Sequence, residues 1–232
     1  MTNIQEYIKT TELDKNYTQF PSIDQIKENN QVNDQFNEIF KSTDLVKDDL
    51  QKYYEFTVPK LGQGGTCSLR TEFEQFNLCS IIGEKTNEKD LYLSRLNKLI
   101  DLVQKRTNVD WLGFYKVFEN VNGSDHSGLV KLAYYGEYSR PIFPLTLEWT
   151  TMSGNSWVGY YGKSKVIESV SKYEGPYYNC SDKVKSELCI PIFNQQQKVI
   201  GIIDAESWKD DFFTLDKVIE IIQVSLFLSK HL

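Results

Sequence analysis

The stretch Ser186-Glu-Leu-Cys-Ile-Pro-Ile-Phe193, then Asn194-Gln-Gln-Gln197, then Lys198-Val-Ile-Gly-Ile-Ile-Asp-Ala-Glu206, decides the fold. Two runs of β-branched and apolar residues separated by four polar ones read as a hairpin, with strands over 186–193 and 198–205. The second strand ends in Asp204-Ala205-Glu206. Because strand side chains alternate, Asp204 and Glu206 share a face at neighbouring levels. Acids at a strand end ordinarily point to water. Here they follow directly on an apolar run, and Lys185-Ser186-Glu187 opens the partner strand, so a third carboxylate is expected nearby.

Outward from the hairpin, Leu93, Leu96, Leu99, Ile100 and Val103 recur on one helical face, and this helix should end near Thr107 and Asn108. Aromatic and β-branched runs then predict strands over 111–118, 129–135 and 142–147, with a polar Asn-Gly loop over 120–128. An irregular stretch carrying Gly154, Gly159 and Gly162 precedes a strand over 165–170 and a polar loop through Gly175, Pro176, Asn179 and Ser181. Leu215, Val218, Ile219, Ile222 and Leu226 form a closing amphipathic helix. The order helix, strands, loops, strands, helix predicts an α+β fold, an antiparallel sheet flanked by helices that lie on one face.

Residues 85–232 carry this pattern as one domain. Residues 1–84 read as an N-terminal extension, partly helical or disordered. Val32, Phe36, Ile39 and Phe40, then Leu45 and Leu50, recur at helical spacing after a floppy polar start. Pro59, Gly62, Gly64 and Gly65 mark a connector, whose glycine run lacks the Gly-Lys-Ser/Thr ending of a phosphate loop.

The 232 residues are 40% hydrophobic and 13% aromatic, enough for one substantial core. A net charge of −6 with interleaved signs argues against a nucleic-acid partner. A polar start and the lack of a long uncharged run argue against a leader or membrane span and for a cytoplasmic protein. Four cysteines, Cys67, Cys79, Cys180 and Cys189, are too few for a disulfide scaffold, and with only His126 and His231 for histidines, no zinc spacing occurs. No metal and no cofactor are expected. Cys180 sits in a polar loop and is the most accessible thiol by context, although carboxylates beside a thiol raise its pKa and oppose nucleophilicity. From the residues alone, the expectation is an acidic pocket with a thiol at its mouth, suited to a ligand with a positive group.

Taken together, Asp110-Trp111-Leu112-Gly113-Phe114-Tyr115, Lys172-Tyr173 with Gly175, Cys180, Lys185-Ser186-Glu187 with Pro191-Ile192, and Gly201-Ile-Ile-Asp204-Ala-Glu206 resemble the GAF-domain free methionine-(R)-sulfoxide reductases. The resemblance covers about residues 85–232. It implies a GAF-like domain in which Cys180 is the catalytic thiol, Glu187, Asp204 and Glu206 contact the substrate, and Trp111 and Tyr115 line the pocket. It further implies free methionine sulfoxide or a similar small molecule as ligand and a homodimer, and the sulfenate at Cys180 would be resolved by an external, thioredoxin-like thiol or by one of Cys67, Cys79 and Cys189. The chain departs from the pattern at Val158, where the family carries a resolving cysteine, in a shorter 159–172 loop that lacks a second helper cysteine, and at Glu206, usually Asp. Two further readings are a non-catalytic GAF module that binds or senses an amino-acid-like ligand, and a dimerisation domain using its apolar terminal helices.

Overall fold

The computed structural model describes residues 3–17, 20, 26, 29–44, 50–62, 68–175, 177 and 181–232. Leu45, Cys67 and Cys180 lie outside the described residues. The chain runs α1 (Ile4–Thr11), α2 (Leu13–Asn16), α3 (Asn30–Lys41), α4 (Leu50–Tyr54), β1 (Glu55–Leu61), β2 (Ser68–Asn77), α5 (Cys79–Ile82) and α6 (Asn87–Thr107). It continues through β3 (Trp111–Phe118), β4 (Gly128–Tyr135), β5 (Ile142–Pro144), α7 (Leu147–Thr150), α8 (Gly154–Tyr161), β6 (Lys165–Ile167), β7 (Ser186–Phe193), β8 (Val199–Ser207) and α9 (Leu215–Leu228).

A six-stranded antiparallel sheet in the order β5-β4-β3-β8-β7-β6 organises the molecule. One face presents Leu112, Phe114, Leu188, Ile190, Ile192, Ile203 and Ala205 to the main core. The opposite face presents Trp111, Tyr115, Cys189 and Ile202, which pack with Leu129, Phe143 and Val158. Strict alternation along β3, β7 and β8 therefore sorts the apolar core from the residues of interest.

Helix α6 covers the core face with the expected leucine stripe. Thr86 caps its start by accepting from the Lys89 amide at 3.2 Å, and Asn108 ends it in the left-handed conformation with φ 56°. Beside it, α9 buries Val218, Ile221, Ile222, Phe227 and Leu228. The N-terminal segment is part of the same layer. Ile4, Tyr7 and Ile8 of α1 and Val32 and Phe36 of α3 are buried in the main core, and Phe36 and Phe40 pack on Phe227 with ring centroids 5.5 and 4.9 Å apart. Tyr7 donates to the Pro191 carbonyl at 2.5 Å, and Gln223 of α9 donates to the Asn29 carbonyl at 3.0 Å.

Several expectations change. The floppy start is a capped helix, α1, with Asn3 accepting from the Glu6 amide. Strands β1 and β2 form a hairpin flanking the supposed connector, and Phe56 of β1 packs on Tyr134 of β4 at 5.6 Å. The strand expected over 142–147 stops at Pro144, and the one over 165–170 stops at Ile167. Most consequentially, the glycine-bearing stretch read as irregular is helix α8, capped by Ser153 and stopped by Gly162 at φ 66°. Helices consequently lie on both faces of the sheet, since α8 packs against Leu129 and the site-bearing face. Glycine propensity argued against α8, and tertiary packing overrode it: a side chain at Gly159 would overlap Leu129 and Leu145.

Candidate functional site

The hairpin register brings the acids together. Glu187 of β7 faces Glu206 of β8 directly, Cys189 faces Asp204, and on the other flank Trp111 and Gly113 of β3 face Glu206 and Asp204. All three carboxylates are at most 8% exposed, and one oxygen of each lies within 4.8 Å of those of the other two. The expectation that the acids share a face is met, but the solvent-facing alternative is not. They line a small cavity with Phe143 and the start of α8, Ser153, Gly154 and Asn155. The cavity measures about 10 Å³, room for about one water.

Helix α8 reaches the acids with its first turn. Ser153 Oγ accepts from the Ser156 amide at 3.3 Å, and Asn155 Nδ2 donates to Asp204 Oδ2 at 2.8 Å. The first-turn amides and the positive end of the helix dipole thus border the acid cluster. Gly154 is required for the approach, because a Cβ there would sit 3.2 Å from Glu187 Oε1. The second Asp204 oxygen, Oδ1, is buried without a hydrogen-bond partner among the described residues.

Two buried lysines supply the opposing charge. Lys131 of β4 donates to the Ser139 carbonyl at 2.9 Å and hydroxyl at 2.7 Å, and lies 4.1 Å from the Tyr134 ring centroid. Lys165 of β6 sits over the Trp157 and Tyr173 rings at 5.1 and 5.6 Å. Burial pushes Glu187 well above the usual carboxylate range, helped by repulsion from Asp204 and opposed by Lys165. Burial likewise raises Asp204, against the Asn155 hydrogen bond and Lys131, and raises Glu206 further, with Asp204 and Glu187 adding repulsion. Neutral pH therefore finds protons retained in this cluster.

Trp111 and Tyr115 lie on the same sheet face, with ring centroids 6.5 Å apart, outside the walls of the small cavity. The Trp111 indole donates to the Glu137 carbonyl at 3.0 Å, and Tyr115 donates to the Arg140 carbonyl at 3.2 Å. Gly113 between them leaves room for the indole, since a Cβ would overlap Trp111 Cη2. Beyond Trp111, Glu137 pairs with Lys183 and accepts from Ser181, the residue after Cys180. These loops and Pro59, Leu69 and Phe73 of the β1–β2 hairpin enclose a wider cleft of about 670 Å³.

Of the thiols described, Cys189 is buried beside Asp204, and burial with three neighbouring acids holds it protonated. Cys79 is half-buried on α5, packed against the main core rather than the acid face. His126 is exposed and His231 packs on Phe40 and Phe227. Sequence reasoning missed Lys131, Lys165 and the Ser153–Asn155 turn. The turn had a signal: Ser153 precedes Gly-Asn-Ser in the manner of a helix cap, which the glycines outweighed.

No family model and no curated protein matches the chain. Among solved structures it is similar to a type II free methionine-R-sulfoxide reductase from Thermoplasma acidophilum, with TM-score 0.53 and 19% identity over 62% of this chain and 93% of that one. It is also similar to a free methionine-R-sulfoxide reductase from Neisseria meningitidis solved with its substrate, with TM-score 0.50 and 20% identity over 60% and 77% of the two chains. The GAF domain region of a Geobacter sulfurreducens protein aligns with TM-score 0.51 and 13% identity over 62% and 95%. Among the described residues, no helix is long and apolar enough to cross a membrane. At these identities the shared feature is architecture: the six-stranded antiparallel sheet flanked by helices is a GAF-like fold.

Proposed function

We propose that this protein reduces free methionine-(R)-sulfoxide to methionine with Cys180 as nucleophile. The observation carrying the reading is the cluster of Glu187, Asp204 and Glu206, buried acids on two paired strands that keep protons near neutral pH. The Cys180 thiolate attacks the sulfoxide sulfur. Oxygen passes to the cysteine, a carboxylic acid of the cluster supplies the proton, and methionine leaves with Cys180 as sulfenic acid. Two equivalents of thiol then return Cys180 to the thiol, with release of water and a disulfide. A carboxylate that has lost its proton pairs with the substrate ammonium, and Trp111 and Tyr115 flank the apolar part of the ligand.

A cavity of about 10 Å³ is too small for an amino acid, so binding displaces the Ser153–Asn155 turn, while the neighbouring 670 Å³ cleft already has the needed volume. Val158 is wholly buried where the family's resolving cysteine stands, and Cys189 is held as the thiol, so the sulfenic acid is reduced by an external, thioredoxin-like dithiol in the cytoplasm. A homodimer would use a surface other than the inner stripe of α9, which α1 and α3 of the same chain cover.

The same buried Val158 favours a second reading, a GAF module that binds a free amino acid without turning it over. The discriminating assay follows loss of each methionine sulfoxide epimer with dithiothreitol and with thioredoxin. R-specific turnover that disappears in Cys180→Ser supports the reductase. Methionine binding without turnover in the wild type removes it and leaves the binding module.

A further inference from the structure

The argument against a metal from sequence considered cysteine and histidine spacings, yet the fold assembles a set of a different kind. Glu187, Asp204 and Glu206 come from two paired strands, and one carboxylate oxygen of each lies within 4.8 Å of those of the other two. A divalent ion that holds oxygens at about 2.1 to 2.4 Å spans that separation. Proximity of acids is not enough by itself, and two further observations point to an occupant. Asp204 Oδ1, on a side chain 4% exposed, has no hydrogen-bond partner among the described residues, while its sister oxygen is fixed by Asn155. The acids also line a void of about 10 Å³, about the size of one ion or water.

Charge and donor type then narrow the occupant. Lys131 and Lys165 oppose the acids from the flanking strands, but two ammonium groups offset at most two of three carboxylates. A water would leave the remaining charge to be neutralised by protons that the acids retain, whereas a cation takes the place of those protons and fills the void. The three acids offer up to six hard oxygens and include no imidazole, a donor set for Mg²⁺ or Mn²⁺ rather than for a soft transition metal. Ca²⁺ prefers six to eight ligands at longer range and a roomier site.

We propose that Glu187, Asp204 and Glu206 form a binding site for one small hard divalent cation, Mg²⁺ or Mn²⁺, and that this ion and the ammonium of an amino-acid ligand exclude each other. The metal site stands on the geometry of the acids. Only the exclusion rests on the amino-acid reading of the previous section.

The test titrates Mn²⁺ into the full chain, following free Mn²⁺ by electron paramagnetic resonance, with Mg²⁺ as competitor. One Mn²⁺ per chain is expected, displaced by Mg²⁺ and weakened at least tenfold in Asp204→Asn and separately in Glu206→Gln. Circular dichroism identifies any variant that fails to fold, and the wild-type stoichiometry and Mg²⁺ competition decide without variants. Free methionine should weaken Mn²⁺ binding by the same factor by which Mn²⁺ weakens methionine binding. Absence of Mn²⁺ binding, or binding that both folded variants retain, overturns the metal site, and methionine binding in the same sample would leave the amino-acid reading standing. Full Mn²⁺ occupancy that methionine does not disturb overturns the exclusion and moves the ammonium away from these acids.

Discussion

The acid cluster makes the pH dependence of stability a direct probe of the site. In the unfolded chain Glu187 and Asp204 titrate near their ordinary values of 4.5 and 3.8, while in the fold burial pushes them up to about 8 and about 7. Between pH 5.5 and 7.5 the native state therefore holds protons that the unfolded state has released. Stability is fullest at low pH and is lost as pH rises through the folded values, on the order of 1 kcal/mol per pH unit for each proton retained. Over two pH units, one to two such protons amount to about 2 to 4 kcal/mol, or roughly 5 to 15 °C in Tm for a chain of this size. Another group pulls the opposite way. His231 is held below its usual value chiefly by burial, so it favours the fold as pH rises through that window. The decisive quantity is accordingly a difference. Thermal and urea melts at pH 5.5, 6.5 and 7.5 should show a shallower fall for Glu187→Gln and for Asp204→Asn than for the wild type. Each variant should gain on the wild type by about 1 kcal/mol per pH unit in this window. Parallel curves for wild type and both variants would refute the claim that these carboxyls hold protons in the fold.

Three further outcomes test the construction around the site. Gly113→Ala forces the Trp111 indole off β3 and should cost about 1 to 3 kcal/mol while shifting tryptophan fluorescence; an unchanged spectrum and melt would contradict the packing. Phe36→Ala empties the contact between α3 and Phe227 and should cost about 3 to 5 kcal/mol in a urea melt, and a cost under about 1 kcal/mol would mean that α3 does not stabilise the sheet layer. Cys189→Ala should leave dithiothreitol-driven turnover within about twofold, since each pKa unit by which a thiol lies above pH costs about tenfold in thiolate. A loss of tenfold or more in a folded variant would make Cys189 the resolving thiol.

What could be read from the chain followed the strength of its periodicities. Alternation in 186–206 gave β7, β8 and the shared face of Asp204 and Glu206, because a strand's period of two leaves only one way to bury Ile203 and Ala205. The leucine stripe gave α6 in the same manner. Alternation says nothing, however, about what covers the other face. The lid of the acid cluster is α8, whose Gly154 and Gly159, with Gly162 just beyond, argue locally for a loop, although Gly159 permits the close approach to Leu129 that packs the helix on the sheet. The β1–β2 hairpin was illegible for a related reason: Pro59 and Gly62 read as punctuation, while the strand is secured by Phe56 against Tyr134, a contact distant in sequence. Lys131 and Lys165 were unremarkable as residues, and only the sheet order carries them to the acids.

That order also explains how three carboxylates can be held together. Glu187 and Glu206 occupy facing positions on adjacent strands, an arrangement that destabilises a sheet when like charges meet there. The cost is reduced from three directions. Lys131 arrives from β4 on one side and Lys165 from β6 on the other, the first turn of α8 presents its amides from above, and the acids retain protons for the remainder. Apart from α8 and β6, which follow one another in the chain, these elements are separated in sequence, and each contributes a residue whose own burial is unfavourable. A site whose members all resist burial is held by the rest of the fold. Here the α1 and α3 layer on the far side of the sheet and the Phe56 contact beside Lys131 supply apolar burial that the acid face lacks. A ligand bringing positive charge to the cluster relieves the very repulsion the scaffold sustains, so its binding should stabilise the fold, and more so at pH 7.5 than at pH 5.5, where protons already occupy the acids.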